Sequence, residues 1–266
     1  MRRVHTYQAL LLVAIFAVWQ LLTQPNLLPP FFWDNPDRAA FFFGEPIRMF
    51  KVIWVWFSEG TIYRHLGVTL LETVLAFAIG SALGLAMGLW LGLSPGASTL
   101  LDPYITAMNA MPRVVLAPIF MVWFGLGIWS KVALGVTLVF FIVFFNVYQG
   151  VKEVSPVVLN NTVMLGANRK QLLRFVYLPS ATSWLFSSLH TSVGMAFVGA
   201  VVGEYLGSAS GVGYLIQQAE GAFDINTVFA GILVLTAFAL VLDYAVTKVE
   251  KRLLVWRPTQ SETEPM

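Results

Sequence analysis

Apolar residues run along this chain in six long stretches, bounded by turn formers or charge, each near the about 20 residues that a helix needs to cross a bilayer. They cover about Tyr7 to Leu22, Gly67 to Leu93, Tyr104 to Phe124, Lys131 to Tyr148, Trp184 to Leu206 and Val228 to Thr247. The pattern predicts an all-α polytopic membrane protein, a single transmembrane domain over residues 1–266 with six transmembrane helices. Two polar intervals stand out. Residues 25–66 form an external loop in which Ile47–Phe57 reads as an aromatic-rich helix at the membrane surface. Residues 151–181, between the fourth and fifth stretches, are too polar to span.

Composition agrees with this reading. At 58% hydrophobic, 11% charged and mean hydropathy +0.74, the chain has too little polar surface to coat a water-exposed globule. The net charge of +2 comes with no concentrated basic patch, which argues against nucleic acid as a partner. Absence of cysteine excludes disulfides and thiolate metal sites. The first stretch follows Arg2 and Arg3, but no small-x-small cleavage pattern follows it, so it reads as a retained span.

Orientation follows from the distribution of Lys and Arg. With both termini cytoplasmic, Arg2, Arg3, Lys152, Arg169, Lys170, Arg174, Lys248, Lys251, Arg252 and Arg257 fall inside. Arg38, Arg48, Lys51, Arg64 and Lys131 fall outside. Ten against five favours this arrangement.

The second span carries Gly80, Gly84, Gly88 and Gly92, and the fifth carries Gly199 and Gly203 followed by Gly207. Four residues advance about 400° around a helix, so each series forms one stripe without side chains. Helix-interior glycine costs roughly 1 kcal/mol relative to alanine, and close helix packing supplies the compensating reason. In the third span, Pro112 and Pro118 each remove a backbone hydrogen bond, and broken helix at membrane depth lines a cavity or is buried in protein. Arg113 stands between them. Either it marks a pathway or a specific partner, or the span is displaced toward the cytosol and the guanidinium snorkels to the interface.

Glu72 and Glu204, near outer helix ends, and Asp243, near an inner end, are each within reach of the interface. Asn146 lies deeper and is expected to hydrogen-bond a neighbour. His190 has no metal-ligand spacing around it and reads as a packing histidine. Pro112, Arg113, Pro118, Asn146 and Glu204 are therefore the candidates for a translocation pathway; no catalytic or metal-binding set emerges. No G-x-x-x-x-G-K-[ST] phosphate loop occurs, so ATP, if it is used, must be handled by another chain.

In the 151–181 loop, Pro156 can open a helix containing Val157, Val158, Val163, Met164 and Leu165, and Gly166 interrupts it. A second short helix from about Arg169 to Val176 ends before Pro179. Such a bent, basic knob could lie on anionic lipid or present itself to a soluble partner. The spacing from Gly166-Ala167 to Leu178-Pro179 resembles the cytoplasmic signature loop of binding-protein-dependent ABC importer permeases. That signature opens with Glu-Ala-Ala, where this chain has Asn160, Asn161 and Thr162. The resemblance extends to the nitrate/taurine/sulfonate-type branch through Leu101-Asp102-Pro103, Met111-Pro112, Ala117-Pro118 and Trp123-Phe124-Gly125-Leu126-Gly127. It continues through Ser130-Lys131, Tyr148-Gln149-Gly150, Gly203-Glu204-Tyr205-Leu206-Gly207, Gly211-Val212-Gly213-Tyr214 and Leu254-Val255-Trp256-Arg257. Glu72 departs from it, since the branch usually carries arginine there.

The resemblance implies a type I importer permease fold in a bacterial inner membrane. It implies that Asn160, Asn161, Thr162, Gly166, Ala167, Arg169, Leu178 and Pro179 dock cytoplasmic ATPase subunits, which bind the ATP and magnesium; this chain itself needs no cofactor and is no enzyme. A second permease chain, expected as a homodimer, and a periplasmic or lipid-tethered solute-binding protein complete the assembly. The solute would be a small organic or inorganic anion such as a sulfonate, taurine or nitrate, with pyrimidine vitamin precursors and aromatic compounds still open. The alternative is a proton-coupled secondary transporter using Glu72, Glu204 or Asp243, but no second proline-broken span matches the third.

Overall fold

A computed structural model describes residues 2–23 and 37–253, and among these every regular element is helical. The start of the external loop and the Leu254–Arg257 match lie outside the described residues. Among the described residues, five helices are long and apolar enough to cross a membrane: Thr6–Thr23, Thr61–Leu93, Ile128–Lys152, Leu189–Leu206 and Ile225–Glu250. A pair of segments, Pro95–Ala110 and Arg113–Phe124, bent by 86° at their junction, makes a sixth, third in chain order, when taken as one broken span. The chain divides into two compact units.

The first unit holds residues 1–69 and 204–238. It contains α1 (Arg2–Thr23), α2 (Asp37–Phe43), α3 (Pro46–Ser58) and the first turns of α4 (Thr61–Leu93). A helix does form where Ile47–Phe57 was expected to be helical: it is α3, with Pro46 in its first turn, where no amide donor is needed. It is anchored by polar contacts at its start: Ile47 N donates to Gln20 Oε1 at 3.0 Å and Glu45 N to Asn226 Oδ1 at 2.7 Å. Gly44 turns the chain just before it with φ +65°, and a Cβ there would meet Phe229 and Asn226 within 3.3 Å, so both conformation and space demand glycine.

The second unit, residues 70–203 and 239–266, is organised around α7 (Ile128–Lys152). Gly80, Gly84, Gly88 and Gly92 of α4 lie against Val139, Val143, Val147 and Val151 of α7, where a Cβ on each glycine would come within 2.7–2.8 Å. Both sets of numbers rise together, so the two helices run parallel. On another side of α7, α11 (Leu189–Leu206) approaches through Gly199, whose added Cβ would lie 2.5 Å from Gly135 Cα, and Gly203, 2.9 Å from Lys131 Cγ. Here one series falls as the other rises, so the helices are antiparallel. Ala76, Val139, Val143, Val147, Val151, Ala181 and Ala196 form the buried centre. In lipid such contacts gain little from hydrophobic transfer, and close van der Waals packing takes its place.

Several boundaries differ from the sequence expectation. The third crossing begins at Pro95 with α5 (Pro95–Ala110) rather than at Tyr104, because Pro95 starts a helix well and Pro103 is carried inside it. The fifth crossing begins at Leu189, and Trp184 belongs to a separate helix, α10 (Leu178–Ser187). Lys131 lies within α7 with 0% exposure rather than in an outer loop, so it drops out of the orientation count.

Candidate translocation site and coupling surface

The chain turns sharply at Met111–Pro112, and the following residues, Arg113–Leu116, form one 3₁₀ turn before α6 (Ala117–Phe124). Only Pro112 marks the break. Pro118 falls in the first turn of α6, where its missing N–H costs nothing, which corrects the expectation that both prolines interrupt helix. The Arg113 guanidinium lies 4.7 Å from the centre of the Phe141 ring, and its Nη2 donates to Asn109 O at 3.2 Å and also to Asn109 Oδ1. Its Nε is buried without a hydrogen-bond partner among the described residues. A partly satisfied guanidinium held over an aromatic face at a helix break is a ready anion contact.

Asn146 is not brought to this point by any hydrogen bond between helices: its Nδ2 donates to Ile142 O of its own helix at 2.8 Å. Glu204 lies in the first unit, where it organises a different polar centre. Its side chain is fully buried rather than reaching an interface. It accepts from Thr69 Oγ1 at 2.6 Å and from Gly213 N at 2.7 Å, and Thr69 Oγ1 in turn accepts from Val212 N at 3.2 Å. The carboxylate thus caps the start of α12 (Val212–Gly221), a charge-assisted arrangement favoured at a helix N-terminus. Gly211 makes room for it: φ is +106°, and a Cβ would overlap the Glu204 carboxyl. His65 Nδ1 adds a contact with Gly211 O at 3.0 Å.

Glu72 is likewise buried, at 1% exposure, so it cannot reach the interface. His190 is more than a packing residue. Its Nδ1 lies 3.3 Å from Asp243 Oδ1 and its Nε2 2.7 Å from Glu250 Oε2, two acids that stand two turns apart on α13 (Ile225–Leu253). Sequence reasoning missed Thr69, His65, Lys131 and Glu250. The signal available for the first two was the Gly211-x-Gly213 pair following Glu204, a spacing that suits a carboxylate folding back on a helix start.

The 151–181 loop folds as α8 (Pro156–Met164), a turn at Gly166 with φ +85°, and α9 (Arg169–Leu172). Asn168 caps α9 in a reciprocal box with Gln171. The second helix does not end before Pro179. Leu173–Tyr177 widens into a π turn, in which Leu178 N reaches Leu173 O, and the chain continues directly into α10 with Pro179 in its first turn. Asn160, Asn161 and Arg169 are exposed, whereas Thr162, Ala167 and Leu178 are half-buried. Met164 and Leu165 project at 84% and 88% exposure beside the Gly166 turn.

Residues 80–255 match the family described as binding-protein-dependent transport system inner membrane component. The chain belongs to that family. It is a multi-pass, membrane-embedded ABC importer permease. It is 31% identical over 264 residues to the formylaminopyrimidine transport permease protein ThiX of Halalkalibacterium halodurans, covering 96% of this chain and 99% of that one. The aliphatic sulfonates permease SsuC of Bacillus subtilis, itself named as putative, is 30% identical over 93% of this chain and 86% of its own. The taurine transport permease TauC of Escherichia coli is 28% identical over 92% and 87%. Among solved structures, a chain of the inward-facing MetNI methionine ABC transporter superposes with a TM-score of 0.63 at 16% identity, covering 72% of this permease and 95% of that chain. The permease therefore has the type I importer fold.

Proposed function

We propose that this permease forms the translocation pathway for a small anion delivered by a solute-binding protein, and that separate ATPase subunits drive it from the cytoplasmic side. The observation that carries the reading is the exposure of Met164 and Leu165 on a knob that joins two membrane crossings. In a basic loop on the cytoplasmic side, two large apolar side chains at the tip would be costly unless a partner covered them. Asn160, Asn161, Thr162, Gly166, Ala167, Arg169, Leu178 and Pro179 frame that surface. Closure of the ATPases on ATP and magnesium would move the knob, and through it α7 and α10.

An anionic solute suits Arg113, whose guanidinium has donors to spare at the break of the third crossing. Sulfonate and taurine are the named solutes of two similar permeases. A second reading, a formylated pyrimidine, is favoured by the similarity to ThiX along almost the full length of both chains. The assembly is expected as a homodimer of this chain with both termini in the cytoplasm. The test is a ligand screen on the cognate solute-binding protein, followed by ATP-dependent uptake into proteoliposomes. Uptake that requires a proton gradient and ignores ATP would replace this reading with a secondary transporter.

A further inference from the structure

The contacts between α4 and α7 keep one register. Gly80 meets Val139, Gly84 meets Val143, Gly88 meets Val147, Gly92 meets Val151, and Gly135 meets Ala76; in every pair the α7 residue lies 59 positions further along the chain. One helical turn before Ala76 and Gly135, the same register brings Glu72 to Lys131. Both are deep in the protein, at 1% and 0% exposure, and both belong to the second unit. We infer that Glu72 and Lys131 form a buried ion pair that positions the end of the broken third crossing.

Three observations support it. An ammonium group has three donors, and Lys131 Nζ gives two of them to Leu126 O at 2.5 Å and Gly127 O at 3.1 Å; the register supplies a carboxylate for the third. Those carbonyls belong to the turn in which α6 ends, so whatever holds Lys131 also holds the exit of the segment that carries Arg113. On its other side the Lys131 stem is packed against Gly203, whose added Cβ would lie 2.9 Å from Lys131 Cγ, and this confines the side chain. A lone buried charge is strongly unfavourable, and an opposite charge in the same register, together with hydrogen bonds to the remaining donors, offsets part of that penalty. Glu72 is thus a positioning residue, acting on the pathway through Lys131, and the inference does not depend on which solute is carried.

Because the chain has no cysteine, the register can be tested directly in the full-length permease in membranes. Glu72→Cys combined with Lys131→Cys should form a disulfide under mild oxidation, whereas Val74→Cys combined with Lys131→Cys should not, since Val74 lies on an exposed face of α4. The charge pairing is tested by Glu72→Gln, Lys131→Met and the double variant in the purified importer. Each single change should lower Tm by about 5–10 °C by stranding the partner charge, and uptake should fall with it. The double variant should melt above either single variant. Glu72→Gln keeps the shape of the side chain, so a packing role alone would leave Tm unmoved. Additive losses in the double variant, or an unshifted Tm for Glu72→Gln, would overturn the pair. If the single variants do not accumulate, the cysteine experiment decides alone, and absence of the disulfide refutes the register.

Discussion

Gly84 of α4 lies against the backbone of Phe140 in α7: a Cβ on Gly84 would stand 2.8 Å from the Phe140 carbonyl oxygen and 3.0 Å from Phe144 N. A flexible side chain could yield to such a contact, but a helix backbone can move only by separating the helices. Gly84→Ala should therefore destabilise the permease by about 1–3 kcal/mol, although alanine is the better helix former. Gly67→Ala in the same helix meets no atom within 4 Å, so its effect should be neutral or slightly stabilising. Thermal melts of the two variants in detergent provide the comparison. Equal melting temperatures would mean that the stripe does not carry the contact.

Thr69 is the relay between the Glu204 carboxylate and the start of α12. Thr69→Val removes one hydroxyl that both donates to Glu204 Oε1 and accepts from Val212 N, leaving two buried groups poorly satisfied at a cost of about 1–3 kcal/mol. Thr69→Ser keeps the hydroxyl and should cost less. A Tm order of wild type, then Ser, then Val is expected, and the reverse order of the two variants would contradict the relay.

Much of the fold was legible because membrane crossings announce themselves by length and hydropathy, and because glycine spaced by four residues has few explanations besides close packing. What stayed hidden depends on contacts distant in sequence. Glu204 reads as an end-of-helix acid free to reach water, yet its partner Thr69 stands 135 positions away and the caps it forms need the Gly211 turn. Lys131 reads as a loop cation by the same reasoning, and it is buried because α11 and the Gly125–Gly127 turn close over it. The third crossing starts before Tyr104 because α5 opens at Pro95 and carries Pro103 inside. At the candidate site, the helix break at Pro112 and the charge beside it were visible, but the Phe141 ring beneath Arg113 was not.

The turn at Gly166 offers a separate test. Its φ of +85° is accessible to asparagine at small cost and strongly disfavoured for a β-branched residue, and a Cβ there would meet nothing within 4 Å, so space plays no part. Gly166→Asn should retain transport. Gly166→Val should lose about 1–3 kcal/mol of local stability or straighten the knob, uncoupling uptake from hydrolysis while the crossings insert normally. Substrate-stimulated ATP hydrolysis in liposomes measures it.

Arg113→Ala should raise the apparent KM for uptake of an anionic solute at least tenfold, a loss of about 1.4 kcal/mol or more, while the assembled importer still purifies with its ATPase. Arg113→Lys restores the charge without the planar fork and should recover part of the loss. Uptake kinetics unchanged by both substitutions would show that the guanidinium faces lipid or solvent.

If an ATPase drives this permease, the contact is made through the apolar tip beside Gly166. Its most direct test is ATP hydrolysis by the reconstituted importer in the presence of its loaded solute-binding protein, with the wild-type permease and with Leu165→Asp. Hydrolysis should be stimulated with the wild type and lost, together with ATPase co-purification, when a charge is placed on that 88% exposed side chain. Full stimulation by the Leu165→Asp permease, with the ATPase still bound, would contradict it.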